Sequence, residues 1–301
     1  YISSPPPSFL QLNHRHDRSR VVLRAETPSI ISTTVTTTTT RRTAPSEVTQ
    51  IFNDFAGHFE DQLINKLDYS APLQVARTAS KRILENNELY ATALDAGCGT
   101  GLMGPLLRKL VSGPLVGIDL SPKMAELAAE LVIIDETGGG EEKNAMPVMR
   151  RTTETARQAL GNLDRVYDGI FIADLLDLSS AKALEGDYGL SIAESLPTTP
   201  YDLIASADVL CYFGEMDAIL QSFSEQLAPG GDLIFSTETI AEGDYNWIRT
   251  LTGRYAHNPE YVARMAALAG LEVVSQEAFT PRMEAGKKVL GTMHMFHKPK
   301  C

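Results

Sequence analysis

The sequence is poor in cysteine and has no long apolar run. Three cysteines occur in 301 residues, Cys98, Cys211 and Cys301, and they form neither a C-x-x-C pair nor a metal-ligand spacing. No apolar stretch approaches the roughly 20 residues that a membrane-spanning helix requires. These absences predict a soluble protein of a reducing compartment that binds no metal and has no membrane partner.

Basic residues are also scarce, because the chain has 27 of them against 38 acidic residues, a net charge of −11. A protein that binds nucleic acid needs a basic face for its phosphate contacts. The acidic balance therefore predicts that no nucleic acid is bound. With 43% apolar residues, the chain can form one large globular domain with an appendage.

The arginines are concentrated at the N-terminus. Residues 1–43 contain six arginines and two acidic residues, together with the runs SSPPPS and TPSIISTTVTTTTTRRT. Such a segment has too little apolar material to offset its ordering entropy, and its composition is typical of an organelle transit peptide. Residues 1–45 are thus predicted to be a disordered leader that directs the protein to a plastid or mitochondrion. An uncharacterised disordered tail on a cytoplasmic protein is the alternative.

From residue 46 onward the apolar pattern alternates between helical and strand periods. Residues 46–86 predict amphipathic helices that cap the domain. The strands YATALDA and PLVGIDL alternate with helices, one of which has Ser121 as its N-cap and Pro122 in its first turn. Residues 135–164 interrupt this rhythm and are predicted to be an inserted surface loop. The final pair, LEVVSQEAF and VLGTMHMFHK, predicts an antiparallel hairpin at the edge of a mostly parallel sheet.

The segment ALDAGCGTGLMGPLL contains two overlapping glycine patterns. From Gly99 it matches G-x-G-x-x-G, in which a helix N-terminus receives the pyrophosphate of a dinucleotide. From Asp95 it is an acid followed by glycines at 97, 99 and 101. The dinucleotide pattern leaves Asp95 unexplained, and a carboxylate there would repel a pyrophosphate. We therefore favour a ligand without phosphate, a nucleoside that carries a cationic sulfonium and an amino-acid tail.

Two further acids follow at the ends of the next strands. Asp119 in VGIDLSPKM can accept from both ribose hydroxyls, a feature shared with NAD proteins. Asp174 in IADLLD can accept from an adenine amino group, with Leu175 beside the ring, or else it caps a loop. Three acids at three successive strand ends are more specific than the glycines alone. Cys98, inside the glycine loop, is more simply a small packing residue than a nucleophile.

In this order and at this spacing, ALDAGCGTG, VGIDLSPKM, IADLLD, YDLIASADVLCYF and LAPGGDLIFSTE resemble the motifs of class I S-adenosylmethionine-dependent methyltransferases. FAGHFEDQLINKLDYSAP and GRYAHNPEYVARMAALAGLEVVSQE are similar to predicted small-molecule-type methyltransferases, related to TPR-containing methyltransferases and to the Williams-Beuren-region methyltransferase-like protein. For residues 46–301 the resemblance implies an α/β fold: a Rossmann-like, seven-stranded, mostly parallel sheet with the antiparallel hairpin and the helical cap. It also implies S-adenosyl-L-methionine as co-substrate. The predicted cofactor-binding residues are Tyr69, Asp95, Ala96, Gly97, Cys98, Gly99, Gly101, Asp119, Leu120, Met124, Asp174, Leu175 and Ala207.

The acceptor is expected beside the end of the fourth strand, in SADVLCYF, because the methyl group should point there. Asp208 and Tyr212 are therefore candidates to position it. A purely structural role, with Tyr212 packed on the helical cap, is the equal alternative.

A second set of acceptor residues is predicted in TGRYAHNPEYV, where Asn258 and Pro259 should begin a helix. Arg254, Tyr255 and His257 would then lie on a loop over the acceptor. Together they offer a cation for an acidic acceptor, a flat apolar face and a group that titrates near neutrality. A solvated loop histidine is the alternative for His257.

The predicted function is methyl transfer to a small organic acceptor at O, N or S by in-line displacement, which depends on positioning and exclusion of water. Methylation of nucleic-acid bases is disfavoured, because Cys211 lacks the preceding proline of cytosine-C5 methyltransferases and no NPPY or DPPY follows the fourth strand. A protein methyltransferase with a basic target and a non-catalytic cofactor-binding scaffold are the alternatives. The sequence indicates neither the acceptor nor the oligomeric state.

Overall fold

The structure is a computed structural model that describes residues 41–59, 67–133, 149–151, 165–186, 188, 190–192 and 194–300. Its helices are α1 (Pro45–Phe55), α2 (Ala71–Asn86), α3 (Gly104–Arg108), α4 (Pro122–Ala129), α5 (Asp217–Gln226) and α6 (Pro259–Leu268), with 3-10 turns at Ala56–His58 and Leu210–Tyr212. No helix in these ranges is both long enough and apolar enough to cross a membrane.

The strands are β1 (Ala93–Ala96), β2 (Leu115–Asp119), β3 (Leu131–Ile133), β4 (Met149–Arg151), β5 (Gly169–Asp174), β6 (Asp177–Ala183), β7 (Tyr201–Ser206), β8 (Leu227–Thr239), β9 (Trp247–Arg249), β10 (Tyr255–His257), β11 (Glu272–Phe279), β12 (Met283–Glu284), β13 (Lys287–Lys288) and β14 (Gly291–His297). The main sheet runs in the order β11-β14-β8-β7-β1-β2-β5-β6, and β10 pairs with both β8 and β9. Its central strands are parallel, whereas β6 and the β11–β14 hairpin pair antiparallel at the edges. The predicted mostly parallel α/β sheet with a C-terminal edge hairpin is confirmed.

The order of the strands places a topological switch point between β1 and β7. From β1 the chain proceeds through β2 to β5 on one side, and β7 and β8 extend the sheet on the other. All four residues of β1 are buried, because helices cover both faces of the sheet. In open α/β sheets, ligands bind beyond the carboxyl ends of the strands at such a point.

Two helix starts follow from local sequence alone and are confirmed. The Ser121 hydroxyl accepts a hydrogen bond from the Met124 amide at 3.2 Å, at the start of α4. The Asn258 side chain accepts one from the Glu260 amide at 2.8 Å, at the start of α6. In each case proline occupies the first turn, where its missing N–H costs nothing.

Ten strands join the main sheet in the described part of the chain, three more than the predicted seven. Strand β6 was not predicted, because most of its residues are half-buried or exposed and leave no apolar alternation. Strand β4, inside the predicted insertion, pairs antiparallel with β3. The rest of that insertion, residues 135–148 and 152–164, lies outside the described residues, as does the leader up to residue 40.

Candidate active site

A cleft lies above the carboxyl ends of β1, β2, β5 and β7. The space within it is about 870 Å³, which includes open solvent at its mouth. Of the predicted cofactor-binding residues, Tyr69, Gly97, Gly99, Asp119, Leu120, Asp174, Leu175 and Ala207 line it. Of the predicted acceptor residues, Asp208, Tyr212 and Arg254 line it.

The loop after β1 depends on glycine for both its shape and its open side. Gly97, Gly99 and Gly101 have φ values of 80°, 55° and 89°, which disfavour residues with a side chain. A Cβ at Gly97 would lie 2.4 Å from Val209, whereas a Cβ at Gly99 would meet only Phe59, at 3.8 Å. Gly99 therefore leaves space inside the cleft for a ligand that approaches the backbone.

Asp119 holds this loop from the neighbouring strand end. Its Oδ2 accepts from the Gly99 amide at 2.8 Å, and its Oδ1 accepts from the Ser121 amide at 2.8 Å. Burial raises the pKa of Asp119 to about 6, although the backbone hydrogen bonds oppose that shift. The carboxylate is thus fixed in orientation at the wall of the cleft.

Asp95 lies behind the wall of the cleft rather than in it. Its Oδ2 accepts from the Tyr167 hydroxyl at 2.7 Å, and the residue is fully buried. A Cβ at Gly104 would lie 2.5 Å from that hydroxyl, so the last glycine of the G-x-G-x-x-G match makes room for Tyr167. The predicted direct contact of Asp95 with the ligand is corrected: its carboxylate supports the base of the loop.

Four other predicted cofactor-binding residues also lie behind the wall: Ala96, Cys98, Gly101 and Met124. Burial raises the pKa of the Cys98 thiol well above its usual value, which suits a packing residue and disfavours a nucleophile. The side chains of Ala96, Cys98 and Met124 support the loop and the start of α4, and Gly101 shapes the loop through its backbone. The contact of these four residues with the cofactor stays a prediction.

The buried charge of Asp95 makes a pH-dependent contribution to stability that we predict to be measurable. Burial raises its pKa to about 7, so between about pH 4 and 7 the folded state holds a proton that the unfolded state has lost. The contribution of Asp95 to the free energy of unfolding is therefore fully present below the pKa of Asp95 in the unfolded state, and it is lost as the pH rises through 7. Asp95→Asn, which can still accept from Tyr167, should gain stability relative to wild type between pH 5 and pH 8. Urea unfolding at several pH values measures the difference, and a constant difference would contradict the prediction.

The Asp174 carboxylate binds Arg42, a residue that was assigned to the leader from the sequence. Arg42 donates to its two oxygens at 2.8 and 2.7 Å, and the Leu176 amide donates at 3.0 Å. Burial alone would raise the pKa of Asp174, but the Arg42 and Leu176 hydrogen bonds outweigh it and lower the pKa. Asp174 caps the following turn, which is one of its two predicted roles. It also lines the cleft, where its other predicted role, binding the adenine amino group, would place it.

Residues 41–44 form an N-terminal strap across the cleft. The Gly214 amide donates to the Arg41 carbonyl at 2.8 Å, and the Thr43 amide donates to the Tyr212 carbonyl at 2.8 Å. Thr43 is buried, and α1 continues the cover, with the Ser121 hydroxyl donating to the Asn53 side chain at 2.7 Å. Residues 41–44, which the predicted boundary at residue 45 assigns to the leader, therefore pack against the domain.

Truncation should locate this boundary. Deleting residues 1–43 removes the Arg42–Asp174 pair, three backbone hydrogen bonds and buried Thr43, so we expect the free energy of unfolding to fall by about 1–3 kcal/mol. Deleting residues 1–40 should change it by less than about 0.5 kcal/mol, because that composition contributes no core. Denaturant titration compares the two. Equal stability of both deletions would contradict the structural role of the strap.

The polar end of the cleft is a cluster of buried ion pairs. Arg254 NH2 lies 2.6 Å from Asp208 Oδ1, and its Nε lies 2.5 Å from Glu238 Oε1. Arg282 contacts Asp208 at 3.3 Å, Glu238 at 2.7 Å and Glu284 at 3.2 Å. Burial would raise the pKa of Asp208, but the charges of Arg254 and Arg282 outweigh it and lower the pKa. Asp208 is therefore a carboxylate at neutral pH.

The tyrosines of this region remain neutral. Burial and then the charge of Asp208 raise the pKa of Tyr69 well above 10. Burial also raises the pKa of Tyr212, whose ring lies 5.4 Å from the Arg254 guanidinium carbon and contacts Phe52 edge-on at 5.6 Å. Tyr212 thus combines the two roles considered for it, packing on the cap and lining the cleft. No side chain described at this end has a resolved pKa near neutrality.

Comparison with known proteins identifies the family. A sequence model described as a methyltransferase domain matches residues 69–276, well over half of the chain. The chain belongs to this methyltransferase family. As a member, it is an S-adenosylmethionine-dependent methyltransferase. A search of curated proteins finds no significant match.

Solved structures of low sequence identity share the methyltransferase's fold. Magnesium protoporphyrin IX methyltransferase from Synechocystis PCC 6803, with S-adenosylmethionine, is 14% identical over 84% of this chain and 96% of its own, with a TM-score of 0.50. Its complex with S-adenosylhomocysteine is 15% identical over 85% and 100%, with a TM-score of 0.53. An N-methyltransferase from Bradyrhizobium japonicum WM9 is 16% identical over 75% and 88%, with a TM-score of 0.44. The likeness to the two magnesium protoporphyrin IX methyltransferase complexes shows the fold.

The predicted acceptor loop of the methyltransferase is wrong, because Tyr255 and His257 belong to β10. Strand β10 pairs with β8 and β9, so both side chains are buried and neither lines the cleft. His257 Nε2 lies 2.8 Å from the Phe213 carbonyl oxygen, and burial lowers its pKa to about 4. His257 is neither solvated nor placed to act as a base, and only Arg254 of this set reaches the cleft.

Several wall residues of the methyltransferase were missed by sequence reasoning. Arg42 and Thr43 were assigned to the leader. Behind the wall, Glu238 ends the quoted motif LAPGGDLIFSTE but was given no role, and Arg282 comes from a distant segment with no motif around it. The aromatic side of the wall was foreseeable in part, because the helical cap was predicted and Phe52 lies on it. The sequence contains one signal for Arg42: it is a basic residue shortly before the first predicted helix.

One group of potential metal ligands exists among the described residues, formed by Asp208, Cys211 and Glu238. Both carboxylates already form ion pairs with arginine, and burial raises the pKa of the Cys211 thiol. The charges of this group are thus compensated by the protein itself. The absence of a metal remains a prediction from the sequence.

Proposed function

We propose that the protein transfers a methyl group from S-adenosylmethionine to a small organic acceptor at O, N or S. The observation that carries the proposal is one cleft that joins the glycine loop and Asp119 to a polar end at Asp208, under a cover formed by the strap and α1. A concave cleft covered by the strap and α1 suits a small acceptor better than a protein chain.

The residues at the strand ends fit the cofactor. The oriented Asp119 carboxylate suits the two ribose hydroxyls, Leu120 and Leu175 offer apolar flanks for the adenine, and the open side of Gly99 admits the ligand beside the backbone. Asp174 suits the adenine amino group, with Arg42 sharing its oxygens. A pyrophosphate would meet the carboxylate of Asp119 without a compensating cation among the described residues of the glycine loop.

When bound, S-adenosylmethionine supplies an electrophilic methyl group on a sulfonium. The protein's contribution is to hold the acceptor in line with it and to exclude water. The strap and Phe52 close the cleft, and the fixed Asp208 and neutral Tyr69 form the polar side that orients the acceptor. Methyl transfer that depends on positioning and exclusion of water in this way requires no general base from the protein.

Labelling tests the function directly. The protein should be incubated with S-adenosylmethionine carrying an isotopic methyl label and a cell metabolite extract, with the Asp119→Ala variant as a control. Transfer of the label to a compound of low molecular mass by the wild type alone supports the proposal. Label found on protein, with none on small molecules, would favour a protein methyltransferase, and no transfer despite cofactor binding would favour a scaffold.

We also propose an organelle location for the methyltransferase. The support is the arginine- and hydroxyl-rich composition of residues 1–40. A fluorescent protein fused behind residues 1–40 should enter plastids or mitochondria. Uniform cytoplasmic fluorescence would contradict it.

A further inference from the structure

The charged groups on the cleft wall are already paired. Arg42 and Asp174 bind each other at both carboxylate oxygens, and Arg254 lies within 2.6 Å of Asp208. Asp119 accepts two backbone amides. Among the described residues of the wall, no cation is left to bind a negatively charged acceptor.

The polar end as a whole carries an excess of negative charge. Its acids are Asp208, Glu238 and Glu284, and its bases are Arg254 and Arg282. An acceptor with a carboxylate would meet like charge here, in a desolvated place where such a contact is costly. This overturns the earlier hypothesis that Arg254 serves an acidic acceptor, because its charge is engaged by Asp208 and Glu238.

Asp208 has a geometry that points to a positioning role. It has a φ of 61°, in the left-handed region, and follows directly on the end of β7. Its amide donates to the Ser236 hydroxyl at 2.8 Å, and Arg254 and Arg282 hold its carboxylate. Strained residues held by several partners are concentrated at functional sites.

The cleft also has an aromatic wall that adjoins the polar end at Tyr212. Phe52 contacts Tyr212 at 5.6 Å and Phe59 at 6.1 Å, with interplanar angles of 82° and 64°, and Phe213 also lines the cleft. A flat ring bound here would bury apolar area against these side chains and could form aromatic pairs with them. The hydroxyl oxygens of Thr43 and Tyr212 are buried without a hydrogen-bond partner among the described residues, so the wall can also satisfy one polar group of a ligand.

We propose that the acceptor is an uncharged, ring-bearing molecule whose hydroxyl or amino group donates a hydrogen bond to Asp208. The inference rests on the proposed function and assigns its substrate class, an aromatic amine or a phenol and not a carboxylic acid. The acceptor atom forms a bond to the methyl carbon, the carbon–sulfur bond breaks with its electron pair going to sulfur, and the acceptor's proton passes to solvent. Asp208 is the positioning residue that directs the acceptor's lone pair.

Matched ligands test the substrate class on the wild-type protein loaded with S-adenosylhomocysteine. We would measure calorimetric dissociation constants for 1-naphthol, 1-aminonaphthalene and 1-naphthoate, which share one ring system. The hydroxyl or the amino compound should bind at least about tenfold more tightly than the carboxylate. Equal or tighter binding of naphthoate, or binding of none of the three, would overturn the proposal. Because S-adenosylhomocysteine binding is measured first, failure here is distinct from failure of the proposed function.

Two variants separate the local effect of Asp208 from net charge. Asp208→Asn should reduce the discrimination against naphthoate to less than about threefold, because the carboxylate that repels it is gone. Glu242→Gln removes the same charge at an exposed position away from the cleft wall and should leave the discrimination unchanged. An equal effect of both variants would show that net charge alone decides. Should Asp208→Asn fail to fold, the wild-type comparison still decides the substrate class.

Discussion

Arg254→Ala should lower the free energy of unfolding by about 3–5 kcal/mol, the cost of leaving a buried charge without its partner. The guanidinium is 2% exposed and lies between Asp208 and Glu238. Removing it leaves both acids buried with Arg282 as their remaining cation, and also leaves a cavity beside Tyr212. Urea unfolding monitored by far-UV circular dichroism measures the loss.

The control for this prediction is Arg264→Ala, an exposed arginine on α6 whose loss should cost within about 0.5 kcal/mol. A double-mutant cycle measures the interaction between Arg254 and Glu238. Glu238→Gln should lower the free energy of unfolding less in the Arg254→Ala background than in the wild type, because it removes the uncompensated charge. Additive effects of the two substitutions, or an Arg254→Ala variant as stable as Arg264→Ala, would refute the ion-pair interpretation.

Asp119→Ala should weaken S-adenosylhomocysteine binding by about 1.5–3 kcal/mol, roughly 10- to 150-fold, the scale for loss of charge-assisted hydrogen bonds. The carboxylate faces the cleft and also accepts from the Gly99 amide, so the substitution removes a ligand contact and loosens the loop. Both effects act in the same direction. Isothermal titration calorimetry measures the affinity.

The unliganded stability separates this binding effect from misfolding. Burial raises the pKa of Asp119 to about 6, so its charge is costly in the empty cleft, and Asp119→Ala should melt near the wild-type temperature. Glu126→Ala, at an exposed position on α4, is the control and should leave the affinity unchanged. Wild-type affinity in Asp119→Ala, or tight binding of NAD to the wild type, would refute the assignment of the cofactor site.

The order of elements could be predicted because it depends on contacts that are local in the sequence. The N-caps at Ser121 and Asn258 are formed within three residues, and the apolar run of β1 reflects burial on both faces of the sheet. Acids at the ends of parallel strands meet at one edge of the sheet, because the carboxyl ends of those strands lie together. Asp119 and Asp174 were therefore brought to one cleft from sequence alone.

Elements with weak local signals were missed. Strand β6 pairs with β5 but exposes most of its residues, so it has no apolar alternation by which to recognise it. The segment after β9 leads into a helix that Asn258 caps, with Pro259 in its first turn. An exposed loop before that helix was inferred from the sequence. Pairing of β10 with β8 buries His257 instead, and no local pattern encodes that pairing.

The sequence by itself determined the order of helices and strands and the edge of the sheet at which the cleft lies, since those follow from periodicity, capping and strand-end position, and its motifs carried the resemblance to methyltransferases. Only the tertiary structure decided the chemistry of the polar end of the cleft. Arg42 reaches Asp174 across 132 positions, and Arg282 reaches Asp208 across 74. The charge that an acceptor meets is the sum over such distant partners, and ion pairing cancels charges that composition counts as free. Sequence reasoning therefore offered Arg254 to an acidic substrate, whereas the folded protein uses it to compensate its own acids.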